Sequence, residues 1–131
     1  MSVRVVRLGS PRLPGEGTRI GTVRRPPRGV PRAKFSTGNW YDVWFPNLAP
    51  SPETMKLGQA AASPAQWSAF ARKYKAEMAS PEAKHDLELL PALSHSADFS
   101  VGCYCEREDR CHRSILRKLL VENGAKVLPS K

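Results

Sequence analysis

No stretch of this sequence approaches the roughly 20 consecutive apolar residues that a membrane-spanning helix needs, and its opening, MSVRVVRLGSPRLP, has no apolar core of signal-peptide length. Neither a membrane span nor an export signal is expected, and the expected location is cytoplasmic. Cysteine is scarce and odd in number, with three residues in the whole chain, which argues against a disulfide framework and for thiols kept reduced. Acidic residues are nearly missing from one end: residues 1–34 hold nine Arg or Lys against Glu16 alone, while the rest of the chain is close to neutral. Such a segment attracts phosphates, nucleic acid or acidic surfaces in general, without implying sequence-specific reading of a nucleic acid. There is no internal repeat, and only RRPPRGVPR is compositionally biased.

What is present fits one domain of 131 residues with a real core. Val3, Val5, Val6 and Leu8, interleaved with Arg4 and Arg7, predict a first strand closed by the turn-rich GSPRLPGEG. A second extended stretch begins near Thr18 and runs into RRPPRGVPR, where the prolines forbid regular helix. Trp40, Tyr41, Trp44 and Phe45 crowd together as an aromatic anchor, read as core and lid packing rather than base stacking, before a short helix capped by Ser51 and opened by Pro52. Ser63 and Pro64 start an amphipathic helix whose stripe is Trp67, Phe70, Tyr74 and Met78, with Arg72, Lys73 and Lys75 on other faces. Ser80 and Pro81 start another, carrying Leu87, Leu89 and Leu90 and ended or kinked by Pro91. DFSVGCYC predicts a buried strand and HRSILRKLLVENG a helix packed through Ile115, Leu116, Leu119 and Leu120, with Gly124 past its end and AKVL as a last short strand. The expected fold is a single α/β domain over residues 1–131, with a basic N-terminal segment (1–34) and a mostly parallel sheet with helices packed on it.

Several segments together, RIGTVRRPPRGVPRAKF, YDVWFPNLAPS, WSAFARKYKAEM and CYCEREDRCHRSIL, resemble the family called domain of unknown function 488, including its YeaO-like branch, over nearly the whole chain. The family's Pro-Arg-Gly segment, its Trp and its Ala-Pro-Ser turn are matched by Pro27, Arg28, Gly29, Trp44, Ala49, Pro50 and Ser51, and its Cys-His-Arg by Cys111, His112 and Arg113. Where the family tends to place an acidic residue just before the first arginine of that segment, this chain has Val23. The resemblance implies an α/β fold and no established activity.

All three cysteines lie in residues 103–111, just ahead of the last predicted helix. A strand leading through a short loop into a helix leaves the first helical amides unpaired and the positive dipole end exposed, which favours a phosphate, sulfate or carboxylate. His112 and Arg113 fall in that first turn, and with Arg28 they are the expected anion-binding residues. Cys111, at the helix start, is the candidate reactive or catalytic thiol. The competing structural role is a helix cap at Cys111 with Arg113 paired to Glu106, Glu108 or Asp109.

Cys111 and Arg117 match the Cys-x5-Arg spacing of cysteine-dependent phosphatases, but the intervening HRSIL has no glycine. A helix there would put Arg117 about 9 Å along the axis and about 240° around it. Cys103, Cys105, Cys111 and His112 suffice in number for zinc, yet a Cys-x-Cys on a strand separates its sulfurs by about 7 Å, against Zn–S bonds of about 2.3 Å. Thiol redox between Cys105 and Cys111, across EREDR, is favoured a little over a metal. No cofactor is expected, and His85 and His95 are expected on the surface. The leading reading is a cytoplasmic protein that binds an anionic small molecule or phosphate at the 105–113 junction. A non-catalytic nucleic-acid or protein interaction module, with weak non-specific nucleic-acid binding by the basic segment, is the alternative; no membrane partner is expected.

Overall fold

The computed structural model describes residues 1–129. Its strands β1 (Val3–Arg7), β2 (Thr18–Gly21), β3 (Val43–Trp44) and β4 (Phe99–Cys103) form one sheet in the order β1-β4-β2-β3, and every pairing is parallel. The helices are α1 (Pro52–Ala60), α2 (Pro64–Met78), α3 (Pro81–Leu93) and α4 (His112–Glu122). The expected α/β domain with a parallel sheet is therefore what the chain forms. Its last strand is central, inserted between the first two, so the carboxyl ends of β1, β2 and β4 lie side by side.

Local chemistry explains the helix starts. Ser51, Ser63 and Ser80 stand in extended conformation with their hydroxyls accepting the N–H of Thr54, Gln66 and Ala83, and a proline follows each in the first turn. One face of the sheet, through Val3, Val5, Ile20, Phe99 and Val101, meets Phe70, Tyr74 and Met78 of α2, Leu87 and Leu90 of α3, and Ile115, Leu116 and Leu120 of α4 in a single apolar cluster.

Four details depart from the sequence reading. Leu89 is 60% exposed, so the apolar stripe of α3 runs through Ala83, Leu87 and Leu90 instead. Pro91 lies inside α3, close enough to its end that the missing N–H forfeits one bond of the last turn while its ring is buried. AKVL makes only a single parallel bridge, Val127 to Val3, beside β1. Val43 and Trp44, read as part of an aromatic anchor, form the edge strand β3, and Trp44 stays 45% exposed with its indole N–H donating to the Val23 carbonyl.

The basic segment is no solvated arm, since β1 and β2 are both within it. Arg19 is fully buried, and its guanidinium makes a two-pronged ion pair with Glu16 at 2.7 and 3.0 Å while donating to the carbonyls of Ser10 and Asn39. Glu16 also accepts from the Ser100 hydroxyl on β4 and from the Leu13 amide. Burial opposes its ionisation, but these donors outweigh burial and lower its pKa. Removing one partner strands the other charge in the interior, so Glu16→Gln should lower unfolding stability by about 3–5 kcal/mol. Chemical denaturation of the two proteins measures this difference.

Asp42 performs a similar task nearer the surface. Burial would raise its pKa, but the Arg12 guanidinium at 2.8 and 2.9 Å, the Arg19 amide and the Ser36 hydroxyl bring it down to about 2. A carboxyl depressed on folding contributes stability above its unfolded pKa and loses it as pH falls through the folded value. Because Asp42 stands at the surface, solvent screening cuts the effect, and the wild-type protein should therefore lose about 1 kcal/mol or less between about pH 4 and pH 2 through this group. In Asp42→Asn that component of the pH dependence should vanish from melting temperatures recorded across the same range.

Candidate functional site

β4 delivers Cys103 to its carboxyl end and stops there, so Tyr104 and Cys105 leave the strand. The chain therefore bends where the sequence reading kept it straight, and the Cys103 and Cys105 sulfurs lie 3.7 Å apart instead of about 7 Å on opposite ends of an extended repeat. Three residues of 3-10 helix, Glu108–Arg110, return the chain to Cys111, the residue preceding α4. Cys111 takes the cap position, but its side chain makes no capping hydrogen bond. Its sulfur instead lies 3.7 Å from Nδ1 of His112.

His112 is fixed from three sides. It is buried, its ring packs against Tyr74 with centroids 5.5 Å apart, and Nε2 donates to the Thr22 carbonyl at 2.9 Å. A carbonyl only accepts, so the proton resides on Nε2 and the lone pair of Nδ1 faces Cys111. Thr22 is itself set by the sheet, with its amide and hydroxyl both donating to the Gly102 carbonyl.

The ligand atoms of Cys103, Cys111 and His112 all lie within 4.8 Å of one another. Cys103 and Cys111 are buried, whereas Cys105 is exposed. Thiol donation from Cys103 and then Cys111 lowers the Cys105 pKa to about 3 against some burial, with the charge of Arg113 helping. Cys103, the donor, is driven well up by the same contacts, and Cys111 is lowered by Cys103 and by His112.

Arg113 is buried, with Nη2 donating to the Cys105 carbonyl at 2.7 Å and no partner for Nε. It braces the loop from below and does not line the cleft above the thiols. Neither Glu106, Glu108 nor Asp109 pairs with it: Asp109 holds Arg107, and Glu108 holds Arg117 at 2.7 and 3.1 Å. Arg117 also donates to the Leu128 carbonyl, so it is directed away from a phosphatase-like grip with Cys111.

Above the cluster opens a cleft of about 360 Å³, within the range of small-molecule sites. Cys103, Cys105, Cys111 and His112 line it, with Tyr104, Phe70, Met55 and the cationic side chains of Arg24, Arg25, Lys56 and Arg110. Arg24 is engaged with the carbonyls of Ala49 and Pro50. Arg25, Lys56 and Arg110 are exposed. No carboxylate is among the lining residues. Arg28 is elsewhere, in a neighbouring groove of about 810 Å³ with Arg7, Trp40 and Tyr104. Arg25 and Tyr104 border both. His85 and His95 are exposed, as expected.

The family model described as the active DUF488-N3 subclade matches residues 3–124, nearly the whole of this domain. The chain belongs to the DUF488 family. No curated protein and no solved structure matches it.

Lys56 and Arg110 were not foreseen as site residues. Arg110 adjoins Cys111 in sequence and could have been noted; Lys56 comes from α1, and nothing local marks it. Exposure also separates the thiols in a way spacing did not. In chelator-treated, reduced protein, iodoacetamide should label Cys105 first, with Cys103 and Cys111 following only as the chain opens. Peptide mass spectrometry over a time course gives the order directly, and faster labelling of Cys111 would return the reactive role to that residue.

Proposed function

We propose that this DUF488 protein binds an anionic, phosphate-bearing small molecule in the cleft at the carboxyl ends of β2 and β4, against a floor of thiols. The observation that carries this reading is the composition of the wall: four cationic side chains, three of them exposed, with no carboxylate among the lining residues. Opposite charge in a partly enclosed site of low dielectric is favoured over the same charge in water. Arginine supplies planar donors suited to phosphate oxygens, and lysine a compact charge. The anion is held by Arg25, Lys56 and Arg110 in place of the expected Arg113 and Arg28, with His112 lining the floor. Cys105 is the sulfur most open to the bound molecule, and Cys111 the one closest to the imidazole lone pair.

A location at strand carboxyl ends supports the same reading, because open parallel sheets collect ligands there. The second reading is weak, non-specific nucleic-acid binding along the adjoining groove. It is favoured by one observation: Arg7, Arg25 and Arg28 border that groove together with Trp40 and Tyr104, so charge and stackable rings adjoin.

Salt separates the two. Inorganic phosphate and a nucleoside monophosphate, titrated by calorimetry into chelator-treated protein, should bind with modest salt dependence, and Arg110→Gln or Lys56→Gln should each weaken binding about tenfold, corresponding to about 1.4 kcal/mol. Binding only to oligonucleotides, with affinity falling steeply as salt rises and unchanged by Lys56→Gln, would replace the cleft reading with the groove.

A further inference from the structure

We propose that the cluster on the floor of the cleft is a metal centre, in which one zinc-class divalent ion is held by Sγ of Cys103, Sγ of Cys111 and Nδ1 of His112, with Sγ of Cys105 closing the fourth position on the solvent side. The ligand atoms of the first three already lie within 4.8 Å of one another. Tetrahedral zinc, with Zn–S near 2.3 Å and Zn–N near 2.0–2.1 Å, sets neighbouring sulfurs about 3.8 Å apart and a sulfur and a nitrogen about 3.6 Å apart. The two edges formed here are 3.7 Å for Cys103 to Cys105 and 3.7 Å for Cys111 to His112. Three soft sulfurs and one imidazole select zinc-like ions over magnesium or calcium.

The second shell supports the same assignment. A ligating imidazole commonly donates its other ring N–H to a carbonyl or carboxylate, and Nε2 of His112 donates to the Thr22 carbonyl, leaving Nδ1 as the ligand atom. Charge balance agrees with the same assignment. Arg113 is buried beside the cluster, has no carboxylate partner among the described residues, and leaves Nε without an acceptor. Three thiolates and a neutral imidazole around a dication carry one net negative charge, which one guanidinium neutralises. Three protonated thiols would leave that buried cation uncompensated, whereas a single Cys105 thiolate would also balance it, so charge is consistent with the centre without requiring it. A disulfide between Cys103 and Cys105 would use two sulfurs and leave Arg113 without a counter-charge.

The centre does not depend on the cleft binding an anion, and the two are tested apart. Reduced, chelator-treated full-length protein is titrated anaerobically with cobalt(II). The expected result is saturation at one equivalent, with the intense visible bands of tetrahedral cobalt and a near-ultraviolet thiolate-to-metal charge-transfer band, both abolished by His112→Gln and both displaced by zinc. Arg113→Met should weaken the binding about 10- to 100-fold while keeping the tetrahedral spectrum. Should His112→Gln fail to fold, wild-type protein alone decides: zinc should protect Cys105 from iodoacetamide, and a chelator should restore its labelling. A weak octahedral cobalt spectrum, or labelling of Cys105 at the same rate with and without zinc, overturns the centre. Phosphate titration of the metal-free chain reports on the cleft separately, whichever way the cobalt result falls.

Discussion

The buried ion pair of Glu16 and Arg19 is the constraint on which the rest of this structure hangs. β2 presents Arg19 to the face of the sheet opposite its apolar cluster, where a lone guanidinium would be strongly unfavourable. Glu16, from the connection between β1 and β2, supplies the counter-charge, and the carbonyls of Ser10 and Asn39 take the remaining donors. The turn after β1, the approach to β2 and the loop ahead of β3 are thus drawn to one side chain. Ser100, which donates to Glu16, is also the register partner of Arg19 on β4. A slip of one residue would turn Arg19 into the apolar face, so the pair fixes the alignment of β2 with β4. Three residues on, that alignment places Thr22 to receive His112, and it sets Cys103 at the end of the central strand.

How much of this was legible in the sequence depended on how local the cause was. Ser51, Ser63 and Ser80 announce their helices because capping is settled within four residues, and the stripe of Phe70, Tyr74 and Met78 repeats at the helical period. β4 was legible too, since a short apolar run between polar turns needs no partner to be recognised. Glu16 and Arg19 were not. In composition Arg19 is one of nine basic residues in a charged segment, and only a folded sheet tells which charge is buried. β3 is two residues long and owes its existence to β2, so nothing in its own composition marks it. The thiols show the same limit: their proximity in sequence was plain, but the 3.7 Å approach of Cys103 and Cys105 depends on where β4 ends, which its pairing with β1 and β2 determines.

The loop between Cys105 and Cys111 explains how a polar, charged segment holds a defined shape. Arg117 reaches back from the second turn of α4 to Glu108, and Arg113 reaches from the first turn to the Cys105 carbonyl. Both arginines follow the loop in sequence, so they tie it back onto the helix it leads into. Their engagement has a chemical consequence. Arg113, expected as an anion ligand, and Arg117, weighed as a phosphatase-like partner of Cys111, are both engaged by the scaffold, and the charge facing the cleft comes from Arg25, Lys56 and Arg110, contributed by three different segments. An anion bound there would be gripped by groups on the loop after β2, on α1 and on the loop after β4, so the cleft's affinity is tied to the relative placement of all three.

Electrostatics at the floor run in the opposite sense to those at the wall. Sulfur accumulates negative charge readily, whether as thiolate or as a metal-bound ligand, and Arg113 from beneath favours that state. An anion entering from above would meet this negative charge unless it were neutralised or shared with a cation. A bare trio of ionised thiols would therefore repel the ligand that the wall attracts, whereas a dication among them leaves one negative charge, set against Arg113. The floor and the wall are compatible in one molecule when sulfur charge is held by a bound ion or limited to a single thiolate. His112 bears on both cases, because its Nδ1 lone pair can accept a proton from Cys111 or donate to a metal, and the Thr22 carbonyl keeps that lone pair directed at the cluster in either state.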